Sequence, residues 1–129
     1  MLEKKITPPQ LNILGKPLQI CSLDPLTGYF RDGCCNTELG DFGSHTVCAE
    51  MTEEFLSFSK ICGNDLSTPR PEFGFDGLKP GDRWCLCAAR WLEAANEGKA
   101  PNIIANCTNE AALTIVPKSL LMRYSIKIN

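Results

Sequence analysis

Eight cysteines and one histidine are the residues of this 129-residue chain that could do chemistry by themselves. Cys34 and Cys35 are adjacent in the stretch "RDGCCNT", Cys85 and Cys87 form a C-x-C, and His45 stands three residues before Cys48. Tetrahedral zinc takes four nitrogen or sulfur donors, so Cys34, Cys35, His45, Cys48, Cys85 and Cys87 offer more than enough ligands. Their spacing matches no zinc finger or ribbon, because the chain contains no repeated C-x-x-C.

The C-x-C separates two chemistries by its backbone. On a strand, residues two apart share a side, and both sulfurs reach one ion. On a helix they lie about 200° apart around the axis, and a shared ion is hard to reach. Asp82 as a cap, with Trp84, Ala88, Trp91, Leu92 and Ala95 on one face, favours a helix that Gly98 stops. Cys85 then falls in a first helical turn, where free N–H groups and the helix dipole lower a thiol's pKa, and Arg83 beside it adds to the effect. On that basis Cys85 is the candidate nucleophile, with Cys34, Cys35 or Cys48 as its resolving partner. A cysteine activated by His45 is a further arrangement. The plainer alternative makes all the cysteines small core residues. Adjacent side chains diverge, so of Cys34 and Cys35 one is expected to face a site and the other the core. Asp24, Arg31, Asp32, Asp65, Arg70 and Asp82 sit in turns and either line a polar cleft or cap turns and helices.

The elements that must position these groups fit one domain. A chain of this length buries about two-thirds of its unfolded surface around one core, so neither metal nor disulfide is needed for folding. Thirteen Lys and Arg stand against fifteen Asp and Glu with no long block of either sign, which argues against nucleic acid or an anionic membrane as partner. A small molecule or a protein is the expected partner. No stretch approaches the roughly 18 apolar residues of a membrane span, and the first residues lack a signal-peptide pattern. A cytoplasmic location is expected, and with it eight reduced thiols or metal ligands. There is no Walker loop, dinucleotide fingerprint, G-x-S-x-G or H-E-x-x-H.

Residues 1–10 read as a loose lead and 11–129 as a single α+β domain. Two short strand pieces around Gly15 and Pro17 come first, then a Gly/Asp/Asn-rich segment carrying the double cysteine. "HTVCA" reads as a strand. A helix follows, capped by Thr52 and stopped by Gly63, with Met51, Phe55, Phe58 and Cys62 facing the core. Residues 63–82 carry three prolines and four glycines without periodicity and read as an ordered surface loop, anchored by Leu66, Phe73, Phe75 and Leu78, that walls a site. "PNIIANC" is a strand candidate, "NEAALTIV" a short helix or helix–strand join, and Tyr124, Ile126 and Ile128 alternate as in an edge strand. The expected architecture is two main helices against a small, mostly antiparallel sheet.

The stretches "DPLTGYFRDGCCNT", "HTVCAEMTEEFLSFSK", "GNDLSTPRPEFGF", "LKPGDRWCLCAARWLEA" and "APNII" resemble a family of small bacterial proteins, domain of unknown function 2237, from about Leu11 to Leu121. The resemblance implies one compact domain and groups Cys21, Cys34, Cys35, Cys48, Cys85 and Cys87 with the family pattern, leaving Cys62 and Cys107 as additions. It also implies a histidine near Asn109, which this chain lacks. Three functions follow as expectations. The first is a binding or regulatory domain whose cysteine cluster holds zinc; the second is a thiol-dependent enzyme or redox protein with Cys85 as nucleophile; the third is a binding module whose cysteines are only core residues.

Overall fold

A computed structural model describes residues 9–126. It shows a small α+β domain built on two antiparallel strands, β1 (His45–Glu50) and β2 (Arg83–Cys87), with helices α1 (Glu53–Ile61), α2 (Ala88–Asn96) and α3 (Lys118–Arg123). In the register Cys48 faces Cys85, Ala49 faces Trp84 and His45 faces Cys87, with an irregularity between His45 and Val47. Alternation along the strands sends the two sheet faces into two different cores. Val47, Ala49, Trp84 and Leu86 join Phe55, Trp91, Ile103 and Leu121 in the larger core. Cys48 and Cys85 join Cys21, Cys35, Ile104 and Cys107 in a smaller, sulfur-rich one.

The segment expected as one long helix is a strand followed by a helix. Trp84, Ala88 and Trp91 fall at helical spacing, but "RWCLC" also alternates with period two, and pairing with β1 buries both of its faces. Tertiary pairing therefore overrides the local helical pattern. Asp82 caps no helix; its carboxylate accepts the Lys79 N–H at 2.9 Å in the preceding turn. The helix proper begins after Cys87, and the Trp91 indole N–H donates to the Pro101 carbonyl at 3.0 Å in the buried core.

Helix α1 forms as its sequence dictates. Thr52 Oγ1 accepts the Phe55 N–H at 3.0 Å, Glu53 and Glu54 occupy the first turn, and Gly63 follows the end with φ +90. Cys62 departs from expectation: as the C-cap it is half-buried, not a core residue. In residues 63–82, Leu78 is buried and its N–H donates to the Leu66 carbonyl, whereas Phe73 is 81 % exposed and anchors nothing. "PNIIANC" contributes only single bridges, Ile103 to Ala49 and to Ser125, before a 3-10 turn at Ala105–Cys107. A 3-10 turn, Glu110–Thr114, occupies "NEAALTIV". Instead of an edge strand the tail forms α3 and the bridge at Ser125, and Ile128 lies outside the described residues. No helix among the described residues is long and apolar enough to cross a membrane.

Candidate functional site

Four of the eight cysteines are paired, which corrects the expectation of eight free thiols. Cys21 is bonded to Cys48 and Cys35 to Cys85, with Cα separations of 5.8 and 5.3 Å. All four are buried. Cross-strand pairing of Cys48 with Cys85 fixes the two bonds side by side, and the sulfurs of Cys21, Cys35 and Cys85 lie within 4.8 Å of one another. Buried hydroxyls hold the strands here: the Cys85 N–H donates to Thr27 Oγ1 at 2.9 Å and the Cys48 N–H to Thr108 Oγ1 at 3.2 Å. Cys85 is thus on a strand, buried and bonded, and not in a first helical turn. Arg83, beside it, is half-buried in β2. Cys35 faces the core, as expected of one member of the pair, and Cys34 is half-buried beside it.

The free thiols differ in their surroundings. Burial, then the Asp32 carboxylate, pushes the Cys34 thiol's pKa up. Burial likewise pushes Cys107 up, against the opposing pull of Arg83. Cys87 alone meets a base: its Sγ lies 3.3 Å from His45 Nε2. On the other side of the ring, His45 Nδ1 donates to Asp41 Oδ1 at 2.6 Å, and the Asp41 side chain is wholly buried. The second Asp41 oxygen accepts the His45 N–H at 2.9 Å and the Thr37 hydroxyl at 3.0 Å, so the carboxylate is locked at both ends. These three residues form a thiol, an imidazole and an orienting carboxylate in series.

Each member owes its position to local sequence. Cys87 ends β2 and is the N-cap residue of α2, a strand-to-helix elbow; its side chain does not cap the helix. Gly43 lets the ring and the sulfur meet, since a Cβ there would lie 3.0 Å from Cys87 Sγ and 3.0 Å from His45 Cε1. Ser44 takes a left-handed φ of +47 and its carbonyl accepts the Ala88 N–H at 3.0 Å, tying the loop before β1 to the start of α2. Non-glycine residues in this region are strained, and such strain gathers at functional sites. Tyr29 stacks on the imidazole at 6.1 Å.

Electrostatics follow from the contacts. The hydrogen bond with Cys87 raises the His45 pKa to about 9, burial opposes the rise, and the Asp41 contact adds to it. Burial works against the ionised form of Asp41, but the His45 backbone and ring N–H groups and the Thr37 hydroxyl together outweigh it and hold its carboxyl below the usual range.

Beside this triad opens a cleft of about 280 Å³ lined by Arg31, His45, Arg70, Phe73, Phe75 and Trp84, with Leu66. Leu66, Arg70, Phe73 and Phe75 of this lining belong to residues 63–82. An adjoining lobe shares Arg31, Phe75 and Trp84 and adds Asp24. The remaining carboxylates stabilise turns. Asp32 accepts the Cys34 N–H at 3.0 Å, and Asp65 accepts the Ser67 and Thr68 N–H groups. The Thr68 hydroxyl, ahead of those backbone bonds, brings the Asp65 carboxyl down to about 2, with burial opposing. Sequence reasoning missed Asp41, whose signal was an acid four residues before the only histidine, and missed Cys21 as a partner in the sulfur cluster.

Fold and site together define a small α+β thiol protein with two buried disulfides and one cysteine held by a histidine–aspartate pair. The chain matches the family model described as "Uncharacterized protein conserved in bacteria (DUF2237)" over residues 11–125 and belongs to that family. No curated protein matches the sequence.

Proposed function

We propose that the protein is a thiol-dependent enzyme in which Cys87 is the nucleophile, His45 the acid–base and Asp41 the orienting group. The observation that carries this reading is the series Cys87 Sγ, His45 Nε2 at 3.3 Å, and His45 Nδ1 to Asp41 at 2.6 Å. Asp41 fixes the ring with a proton on Nδ1, which turns Nε2 toward the sulfur. With the shared proton on Nε2, the sulfur carries the negative charge and attacks.

The elbow supports acyl transfer. The sulfur forms a bond to the acyl carbon while the carbonyl pair moves onto oxygen, where the first-turn N–H groups of α2 after Ala88, whose own N–H is taken by the Ser44 carbonyl, can receive it. Collapse expels the leaving group with the proton from His45. Water then gives its proton to His45 and attacks the thioester, which releases the carboxylic acid and restores the thiol. The substrate is a small molecule, since the neighbouring cleft is of that size. A chromogenic acetate ester is the first probe: an acetyl group on Cys87, absent in Cys87→Ser and formed at least about tenfold more slowly in Asp41→Asn, is expected. Acetylation of another residue with Cys87 untouched would refute the assignment.

A second reading rests on the sulfur cluster. In the cytoplasm, the compartment we propose, thioredoxin and glutathione favour reduced thiols. Once reduced, Cys21, Cys35, Cys48 and Cys85 present four sulfurs in one buried cluster, and this donor set suits tetrahedral zinc. The set differs from the one expected from sequence: Cys21 enters, Cys34 stays outside the cluster, and His45 and Cys87 are engaged with each other. Metal analysis of protein reduced and refolded with zinc decides it. About one equivalent supports the site, and none retained after desalting removes it.

A further inference from the structure

The cleft beside the triad has a chemical character that the triad itself does not require. Its floor is the Trp84 indole, 7 % exposed, against which the Phe75 ring packs at 5.4 Å. The Arg31 guanidinium stands 5.0 Å from the centre of that indole. Arg31 is exposed and takes a left-handed φ of +54, a conformation that a β-carbon disfavours. Its Nη1 donates to the Gly28 carbonyl at 2.7 Å, and among the described residues no carboxylate lies within ion-pair distance of it. A guanidinium has five N–H donors in a planar fork, so one bond to Gly28 leaves an edge for a bidentate acceptor. Arg70 lines the same cleft, exposed, and its one ion-pair contact among the described residues is with Glu72 at 4.0 Å. His45 lines it too, and its ring links this cavity to the Cys87 sulfur.

We propose that this cleft binds a small ligand with an oxoanion on a flat apolar body, the anion held between Arg31 and Arg70 and the body lying on Trp84 and Phe75. This rests on the reading of Cys87 as nucleophile insofar as the ligand is its substrate; the binding itself does not. The strained backbone at Arg31 is then explained by position: it holds the guanidinium over the indole, where the ring face and a ligand anion use different parts of it. Carboxylate and phosphate share this chemistry, and a pair of probes separates them.

Indole-3-acetate and phenyl phosphate are titrated into the full chain and followed by calorimetry, with indole-3-acetamide as the neutral counterpart. At least one anion is expected to bind with a Kd below about 1 mM, and the amide at least about tenfold more weakly. The stronger of the two anions identifies the oxoanion. Arg31→Gly removes the guanidinium while relieving the left-handed strain, so the variant keeps its fold, and with Arg70→Met it is expected to lose binding by at least about tenfold. Equal binding of the amide, unchanged binding by the double variant, or no binding of either anion up to about 10 mM overturns the proposal. Alkylation of Cys87 by neutral iodoacetamide, measured on the same samples, keeps the two claims apart. If it is slowed in Asp41→Asn while the anions fail to bind, the nucleophile stands and the cleft assignment falls; if binding is seen without that slowing, the reverse holds.

Discussion

Replacing Gly43 by alanine tests the triad without removing any of its groups. The added Cβ would lie 3.0 Å from Cys87 Sγ and 3.0 Å from His45 Cε1, whereas non-bonded carbons settle at about 3.5–4.0 Å. Sulfur and ring must therefore each retreat by about half an ångström. The ring is pinned at Nδ1 by Asp41 at 2.6 Å, and the Cys87 backbone is fixed by its pairing with β1. The displacement falls on the softest contact, the 3.3 Å approach of Sγ to Nε2. A hydrogen bond to a charged group contributes about 1.5–3 kcal/mol, so its loss slows attack by Cys87 by about tenfold to a hundredfold. The assay is the second-order rate of iodoacetamide alkylation at neutral pH, with a thermal melt to show that the fold survives. A rate within about twofold of the parent, in a folded variant, would refute the claim that this contact governs the sulfur.

Stability should depend on pH through His45. Its pKa is raised in the folded chain to about 9 from an ordinary 6.5, so its contribution is full below about 6.5 and is lost as pH rises through about 9. Urea melts at about pH 6 and about pH 10 should show a larger decline in the parent than in His45→Asn, and equal declines would contradict the assignment. The two disulfides close chain separations of 27 and 50 residues, for which loop-closure entropy predicts losses of about 3.5 and about 4 kcal/mol in Cys21→Ser/Cys48→Ser and Cys35→Ser/Cys85→Ser. Denaturation of each double variant measures this, and a loss under about 1 kcal/mol in both would mean that the pairs do not constrain the unfolded chain.

Much of the frame was legible because local rules decided it. Thr52, the two glutamates after it and Gly63 bracket α1, and the β-prone "HTVCA" becomes β1. The segment after Asp82 reads as helix from its sequence because two periods coexist in it. Helical spacing from Trp84 to Trp91 is real, but a strand there buries tryptophan and leucine on one face and a cysteine on the other. The helical reading puts the candidate nucleophile at Cys85, two residues from the thiol that meets the base. The pairing of Cys35 with Cys85 crosses 50 residues, and no local pattern encodes it. Asp41 was hidden for another reason: in a Gly/Asp-rich turn an aspartate is ordinarily a backbone cap, and here it also orders the ring four residues on. In residues 63–82 the prolines and glycines carry no signal for which side chains line the cavity, nor for the outward turn of Phe73.

One thiol of this cysteine-rich chain, Cys87, is set apart by its contact with His45. Limited alkylation with less than one equivalent of iodoacetamide at neutral pH, followed by peptide mass spectrometry, compares the four free cysteines in one sample. The label is expected on Cys87, ahead of Cys34, Cys62 and Cys107, and His45→Ala is expected to remove this preference. Label chiefly on Cys34 or Cys62, or a Cys87 preference that survives His45→Ala, would contradict it.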